Sequence, residues 1–303
     1  VRSSRAEDID GALAILHARD VLEVGGHDAT AGWIEDAWRS PRVDVDSDTR
    51  VVEAPDGELA AYADVTHIDD PEYVTSWAPV HPAHQGLGIG TALLGWIEAR
   101  AARLPARALH QHVDGGDATG QRLLERAGYR VVRTHLHMIR DLADPAPASP
   151  RGDLSVAIRP MHDGEERRVH HVVAASFAEH FALTVEPFDV WWGEWCADPL
   201  YDRDLFLVAE DPGAGIVGVA CDFEDAGVGW VGDLGVLPAY RGRGIATALL
   251  AASFDAFAAR GIATARLNVD AENETGAADL YWAVGMREHR RFLVFEKPLR
   301  DEG

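Results

Sequence analysis

The clearest periodicity in the chain lies at residues 245–257. There Ile245, Leu249, Leu250, Ser253, Phe254 and Phe257 recur at three- and four-residue intervals. That spacing places them on one face of a helix ending near Gly261. Val169, Val172, Val173 and Phe177 repeat the period and predict an earlier helix over about 164–180. Between these helices the pattern shortens. LFLVAE (205–210) and GIVGVACD (215–222) read as strands around the turn DPGAG, and VGWVGDLGV (228–236) as the next strand. ARLNV (265–269) reads as a strand, 277–284 as a short helix, and FLVFEK (292–297) as a strand closing the second half. Early helices, an antiparallel meander and a strand–loop–helix–strand crossover predict a mixed α/β sheet.

The pattern is written twice. VHPAHQGLGIGTALL (80–94) matches VLPAYRGRGIATALL (236–250), with Val80 and Val236 156 positions apart. LLERAGYRVV (123–132) matches LYWAVGMREH (280–289), with Gly128 and Gly285 157 apart. Two separated matches at nearly one offset point to an internal duplication. Between the copies, DLADPAPASPRGD (141–153) has no apolar period, and its prolines interrupt any regular helix. The expected organisation is a first domain over 1–142, a linker over 143–153 and a second domain over 154–303. A chain of 303 residues is long enough for two domains.

Composition narrows the partners. Hydrophobic residues make up 47% and charged residues 26%, which is globular composition. Fifty acidic against 28 basic residues give a formal net charge of -22. A surface that acidic repels nucleic acid and anionic lipid and attracts small cations. Two cysteines, Cys196 and Cys221, exclude a disulfide framework and a four-cysteine zinc site, and imply a reducing, cytoplasmic setting. No apolar run reaches the length of a membrane span. The expected assembly is a monomer whose two copies form an internal pseudo-dimer.

The sharpest chemical signal is RGRGIA, residues 241–246, between a strand and an amphipathic helix. Glycines at Gly242 and Gly244 let the backbone come close to a ligand, because no Cβ intervenes. Successive N–H groups then converge at the positive end of the helix dipole, which suits a diphosphate. Arg241 and Arg243 add local positive charge. The motif lacks the GK[ST] of the P-loop and the three-glycine spacing of the dinucleotide fingerprint.

Arg241, Gly244 and Ala246 resemble motif A of the GCN5-related N-acetyltransferases, in which Gln or Arg is followed by two residues, Gly, one residue, and Gly or Ala. NVDAENETGAADLYWAVGM (268–286) is similar to that family's closing block. The resemblance covers essentially all of 155–297. It implies two tandem acyltransferase domains and acetyl-CoA as cofactor. The sheet should splay near Val236, with the pantetheine arm paired to strand backbone at Leu234, Gly235 and Val236. The diphosphate should lie on the amides of Arg241, Gly242, Arg243, Gly244, Ile245 and Ala246, with Thr247 adding a hydroxyl. Asn273 should hold the arm from the other side.

The implied reaction is direct acyl transfer to an amine. An alkyl ammonium with a pKa near ~10 must lose a proton before it attacks, and the leaving thiolate needs an acid. Tyr281 occupies the family's tyrosine position and is the expected acid; a phenol near ~10 suits a thiolate whose conjugate acid is ~8.5. Asp233, on the strand leading into the loop, is the expected base. Some relatives keep a glutamate three residues earlier, where Trp230 stands. Asp222 and Glu224 are further carboxylates, each read singly as a solvated acid.

In the first copy, Gln85, Gly88 and Gly90 satisfy the same pattern, and Gly86 completes a possible second cofactor site. Leu124 stands in the place of Tyr281, Trp77 in that of Asp233, and Gly115 and Gly116 where Asn273 should be. The first half is therefore expected to be non-catalytic, either structural or cofactor-holding. Trp191, Trp192 and Trp195 could floor an acceptor pocket, although a core cluster is the simpler reading. His170, His171 and His180 lie on or near the first helix of the second half, His180 facing either acceptor or solvent. His110/His112 and His135/His137 alternate along strands without the further ligands a metal site needs.

Three functions follow. The leading one moves acetyl from acetyl-CoA to a primary amine of a small, cationic molecule in the C-terminal domain. Within it, the tandem architecture also resembles the mycothiol synthases, which acetylate the cysteinyl amine of a pseudodisaccharide, and an aminoglycoside-type acetyltransferase is equally compatible. The second is a non-enzymatic acyl-CoA-binding sensor, against which Tyr281 and Asp233 argue. The third, acetylation of a protein N-terminus or lysine, has no residue that selects a peptide.

Overall fold

The computed structural model describes residues 1–39, 43–67, 72–144, 155–178, 185–273 and 276–300. In chain order the elements are α1 (Ile9–Glu23), α2 (Ala31–Arg39), α3 (Val45–Asp48), β1 (Thr49–Glu53), β2 (Leu59–His67), β3 (Tyr73–Trp77), α4 (Ile89–Ala101), β4 (Ala108–Asp114), α5 (Ala118–Arg126), β5 (Arg130–Asp141), β6 (Ala157–Pro160), α6 (Glu166–Phe177), α7 (Phe188–Ala197), β7 (Phe206–Asp211), β8 (Gly215–Asp225), β9 (Val228–Val236), α8 (Ile245–Ala259), β10 (Thr264–Asp270), α9 (Ala277–Ala283) and β11 (Arg287–Pro298). The architecture is mixed α/β in both copies. No helix among the described residues is long and apolar enough to cross a membrane. The linker expected over 143–153 lies outside the described residues from position 145 onward, as does His180.

Compactness divides the chain differently from a cut at that linker. The first unit is Val1–His135 with Arg290–Gly303, and the second is Leu136–His289. The strand FLVFEK, expected to close the second copy, closes the first unit instead. Phe292 to Pro298 pair antiparallel with Asp114 to Ala108 of β4. The reason is apolar: Phe295, 1% exposed, packs in the first unit's core with Val74, Ile97 and Leu109. Glu296 meets His110 at 3.2 Å, and Lys297 meets Glu98 at 2.9 Å.

In the second unit the strand order is β5-β10-β9-β8-β7-β6. The predicted face of α8 is buried residue for residue: Ile245, Leu249, Leu250, Ser253, Phe254 and Phe257. Each large apolar side chain there is worth about 1.5–3 kcal/mol of burial. β8 turns into β9 through Ala226 and Gly227, at φ 50° and 81°, the two left-handed residues that a tight hairpin of right-twisted strands needs.

Asp222 corrects the solvated reading given to it. It is fully buried on β8, turned toward α8 and Ser253. The Ser253 hydroxyl donates to the Leu249 carbonyl at 3.1 Å, and neither carboxylate oxygen of Asp222 has a donor at hydrogen-bond geometry. Burial therefore pushes its carboxyl up to about 8.

In the first unit the order is β1-β2-β3-β4-β11. Its charged centre is Arg290, 6% exposed. The guanidinium donates to Asp114 at 2.6 Å and to Asp20 at 2.7 Å, and also bonds Glu23. Arg19 joins Glu23 to Asp117, the latter at 2.9 Å. Two guanidiniums thus hold α1, the end of β4 and the start of α5 together. At Glu23 burial still outweighs them and raises the carboxyl above its ordinary value.

Two outcomes are expected. Arg290→Leu strands buried carboxylates and should cost about 3–5 kcal/mol of first-unit stability, read as a lower urea midpoint. Asp222 folded holds a proton up to about pH 8, whereas its ordinary value is 3.8. Between those values the folded chain binds more protons than the unfolded one, so stability falls as pH rises through the window. Asp222→Asn should raise the thermal midpoint relative to wild type increasingly from pH 4 to pH 8 and by a constant amount outside that range; parallel melting curves from pH 4 to pH 9 would contradict this.

Candidate functional site

The second unit's site begins where two parallel strands stop pairing. β9 and β10 run in register through Val228/Thr264, Gly229/Ala265 and Trp230/Arg266, and then part. The parting starts at Trp230, ahead of the expected Val236. Leu234, Gly235 and Val236 remain paired on one side only, with Ala220, Val219 and Gly218 of β8. They line a cavity of about 400 Å³.

A bulge shapes this stretch. Cys221 pairs with Asp233 and Asp222 with Val231, so Gly232 is an extra residue. A Cβ on Gly232 would stand 2.6 Å from the Cys221 carbonyl oxygen, so the position requires glycine. The bulge changes which way the following side chains face. Gly229 and Val231 pack toward Phe257 of α8. Beyond the bulge, Asp233 and Gly235 face α7 and α6, where a Cβ on Gly235 would meet Ser176 Oγ at 2.8 Å.

The loop after β9 makes the cradle. Gly242 and Gly244 have φ of 74° and 81°, a region that side chains other than glycine adopt at a cost. Gly244 is the N-cap of α8 and has no side chain to satisfy the first-turn amides of Ile245, Ala246 and Thr247. Above Gly242 a Cβ would meet nothing within 4 Å, so the space is open. Uncapped amides at a helix N-terminus, an unpaired strand edge and an open cavity fit a carrier with phosphates at one end and amides along its arm.

The two arginines serve the loop itself. Arg241 lines the cavity, but Nε donates to the Val236 carbonyl at 3.3 Å and Nη2 to the Ser176 carbonyl at 3.1 Å. Arg243 donates to the Ala239 carbonyl at 2.9 Å and lies over the Tyr240 ring at 4.7 Å. Both therefore hold the cradle's shape while bringing charge near it.

Asn273 and Tyr281 lie on the opposite wall with Asn268, Asp270 and Leu280. Tyr281 is 8% exposed, and burial pushes its phenol up to about 12. Asp233 is not among the cavity's lining residues. Burial raises its carboxyl to about 6, partly offset by the Trp191 indole beside it. Glu224 is exposed and away from the cavity. Gly232, Ser176 and Asn268 line the site without having been singled out in sequence; only the glycine density of VGWVGDLG hinted at the first.

The tryptophans divide. Trp191 is core, 7% exposed. Trp192 and Trp195 are half-buried, edge-on to Tyr201 at 5.5 Å and to Phe206 at 4.9 Å respectively. His170 bonds the Glu186 carbonyl at 2.7 Å, a structural contact. Among the described residues no group of three or more His, Cys, Asp or Glu is placed to hold a metal.

The first unit repeats the scaffold. β3 and β4 pair from Tyr73/Ala108 to Ser76/Gln111 and then part. Gly86 and Gly88 have φ of 75° and 82°, and Gly88 caps α4. Gln85, Gly86, Gly88 and Gly90 line a cavity of about 530 Å³, joined by Arg122 and Arg126, which sequence reasoning had not marked. The chemistry differs. Its β2–β3 ladder runs straight from Asp64/Trp77 to His67/Val74, with no bulge. Leu124 accepts the Tyr129 amide as Tyr281 accepts that of Met286, each at 3.0 Å, so Leu124 holds the tyrosine's place. Asp117, not Gly115 or Gly116, holds the place of Asn273: its N–H bonds Asp114 as that of Asn273 bonds Asp270. Asp117 is engaged by Arg19 and by the amides of Thr119 and Gly120. His112 lines this cavity, lowered to about 4 by burial and by its histidine neighbours, and is neutral. Asp64, opposite Trp77, is raised to about 7 by burial.

The sequence matches the acetyltransferase (GNAT) family over residues 19–129 and 170–286. It is 31% identical over 257 residues to a mycothiol acetyltransferase of Streptomyces bingchenggensis, covering 81% of this chain and 79% of that one. Among solved structures, a GCN5-related N-acetyltransferase from Sphaerobacter thermophilus superposes with a TM-score of 0.85 at 31% identity, covering 99% of this chain and 95% of that one. A tandem GNAT protein from the clavulanic acid biosynthesis pathway shares the fold, with a TM-score of 0.70 at 16% identity over 100% of this chain and 98% of its own.

Gly244→Val forces a branched side chain into a left-handed position and should weaken coenzyme A binding by the second unit at least about tenfold, or 1.4 kcal/mol. Calorimetric titration of the full chain checks it, with Gly88→Val as the counterpart in the first unit.

Proposed function

The chain belongs to the acetyltransferase (GNAT) family, and we propose that its second unit moves acetyl from acetyl-CoA to a primary amine of a small, cationic molecule while the first unit carries no turnover. The chain is an acyl-CoA-dependent N-acyltransferase, and acetyl-CoA is its cofactor. The observation that supports the division of labour is the pairing of the Gly232 bulge with Tyr281 in one cavity, against a straight ladder and Leu124 in the other. In the first unit Gln85, Gly86, Gly88 and Gly90 repeat the cradle, so that unit either holds cofactor or serves as scaffold.

When bound, acetyl-CoA supplies an activated thioester whose sulfur departs as the amine attacks. The amides of Gly242 to Thr247 bind the phosphates, and Arg241 keeps that loop against β9 and α6. The free edge of Leu234, Gly235 and Val236 orients the arm, with Asn273 on the far wall.

Asp233, which stands outside the cavity lining, receives the amine's proton through an intervening water rather than by direct contact. With an ammonium near ~10, an ordinary carboxylate of 3.8 would accept it about 8 kcal/mol uphill; raised to about 6, it needs about 5–6 kcal/mol. Burial thus contributes about 3 kcal/mol toward deprotonation. The acid differs from a simple phenol near ~10. At about 12, Tyr281 stays protonated at every working pH, and full transfer to a thiolate near ~8.5 is uphill. Its role is a hydrogen bond that strengthens as negative charge grows on the leaving sulfur.

A net charge of -22 steers a cationic acceptor toward the protein. The similarity to mycothiol acetyltransferase supports a narrower reading of the acceptor as the cysteinyl amine of a pseudodisaccharide.

Tyr281→Phe should lower kcat at least about 100-fold with coenzyme A affinity within twofold of wild type, measured by thiol release against a panel of amines. Below pH 6, kcat/KM of the wild type should fall about tenfold per pH unit as Asp233 is protonated. Tight coenzyme A binding without turnover of any amine would instead favour a sensor.

A further inference from the structure

Phe223 and Trp230 are direct cross-strand partners on β8 and β9. Their rings lie 6.2 Å apart and within 8° of parallel. Trp195 of α7 leans on Phe223 at 6.3 Å and 56°, and is anchored beneath by Phe206 at 4.9 Å. Arg266 sits over Trp230 at 5.9 Å and fixes that ring's orientation. Phe223, Trp230 and Trp195 are all half-buried. Together they form a half-buried aromatic strip in which Phe223 and Trp230 are parallel and Trp195 is tilted against them.

The strip's position gives it meaning. Trp230 belongs to the last pair before β9 and β10 part. Two residues on, Gly232 opens into the cavity, and Asp233 lies on the same side of the sheet as α7. A cofactor arm that starts at the amides of α8 and follows the free edge of β9 runs toward this vertex.

The two copies provide the comparison. The pair Phe223/Trp230 corresponds by ladder position to Thr66/Thr75, since Asp222/Val231 corresponds to Val65/Ser76. The same sheet is therefore built with two threonines in the unit that has Leu124, and with two aromatics in the unit that has Tyr281. In the first unit the corresponding ladder is completed without aromatics.

We propose that Phe223 and Trp230 are specificity-determining residues of the second unit, forming a platform for an acceptor amine that carries a flat, apolar-faced ring. Aromatic faces attract the C–H face of a saturated ring and the face or edge of an aryl ring, and both gain from excluding water. An adjoining ammonium adds attraction to the indole face. An open-chain amine presents no such face and gains little. This inference rests on acetyl transfer in the second unit and adds the shape of the acceptor.

The test uses the full chain with the first unit's pair transplanted, Phe223→Thr with Trp230→Thr. Acetyl transfer is measured to phenethylamine, glucosamine and cadaverine, resolving KM and kcat, with coenzyme A affinity by calorimetry. Wild type should prefer at least one ring amine over cadaverine by tenfold or more in kcat/KM. The double variant should lose that preference through KM, with coenzyme A affinity and cadaverine turnover within threefold of wild type. The ring amine that loses most identifies an aryl or a saturated ring. A preference that survives the transplant, or wild-type preference for cadaverine, overturns the proposal. If no amine is turned over, saturation-transfer NMR of the two ring amines on the coenzyme A-loaded protein decides. A ring-proton signal present with wild type and abolished by the double substitution supports the platform; no signal with wild type, or an equal signal with both proteins, refutes it. Loss of coenzyme A binding in wild type would instead count against the acetyl-transfer reading itself.

Discussion

Backbone hydrogen bonding left unfinished is the constraint on which the second unit's site depends. A parallel pair normally satisfies both edges of each strand, yet β9 and β10 share three residue pairs and then separate. The amides and carbonyls of β9 beyond Trp230 are half-paired, and half-paired backbone beside a cavity needs water or a ligand. The first turn of α8 has the same shortage. One surface therefore presents two sets of unsatisfied main-chain groups, and the side chains around it mostly keep them in place. Arg241 spends its donors on carbonyls of β9 and α6, and Gly235 has no Cβ so that α6 can approach.

Burial then tunes the few acids that remain. Desolvation is the largest influence on Asp222, Asp233 and Tyr281 alike, but the consequences differ with their surroundings. Asp233 has the polar Trp191 indole beside it and stays a base near neutrality. Asp222, fully buried with neither oxygen bonded, is neutral at pH 7, a stability cost under α8 that Val65 spares the first unit. Tyr281 becomes a weaker acid and a dependable hydrogen-bond donor.

The duplication separates what the scaffold needs from what the chemistry needs. Parting strands, left-handed glycines and a helix capped by glycine occur in both units. The bulge, the tyrosine and the aromatic pair occur in one. The first unit's counterpart of Asn273 is Asp117, bound by Arg19 in the charged network around Arg290, so the same turn serves as an anchor for α1.

Much was legible in the sequence because it is local. The six-residue face of α8, the span of β9, the glycine cradle and the repeat follow from side-chain period, from the φ that only glycine adopts freely, and from spacing along the chain; the station of Tyr281 follows from the resemblance of 268–286 to the family's closing block. α7 was not read as a helix because its aromatic residues mask any period, and β6 is too short to show one. Other properties needed the tertiary structure. Asp222 is buried and Asp233 faces Trp191 because a single extra residue, Gly232, resets which side of the sheet each side chain occupies. Asp117 stands for Asn273 because a turn shifts the offset by one. β11 belongs to the first unit because Phe295 is buried in that unit's core, and a strand's alternation is the same whichever sheet it joins. Local pattern determines what an element is; pairing register and distant burial decide where its side chains go and what they can do there.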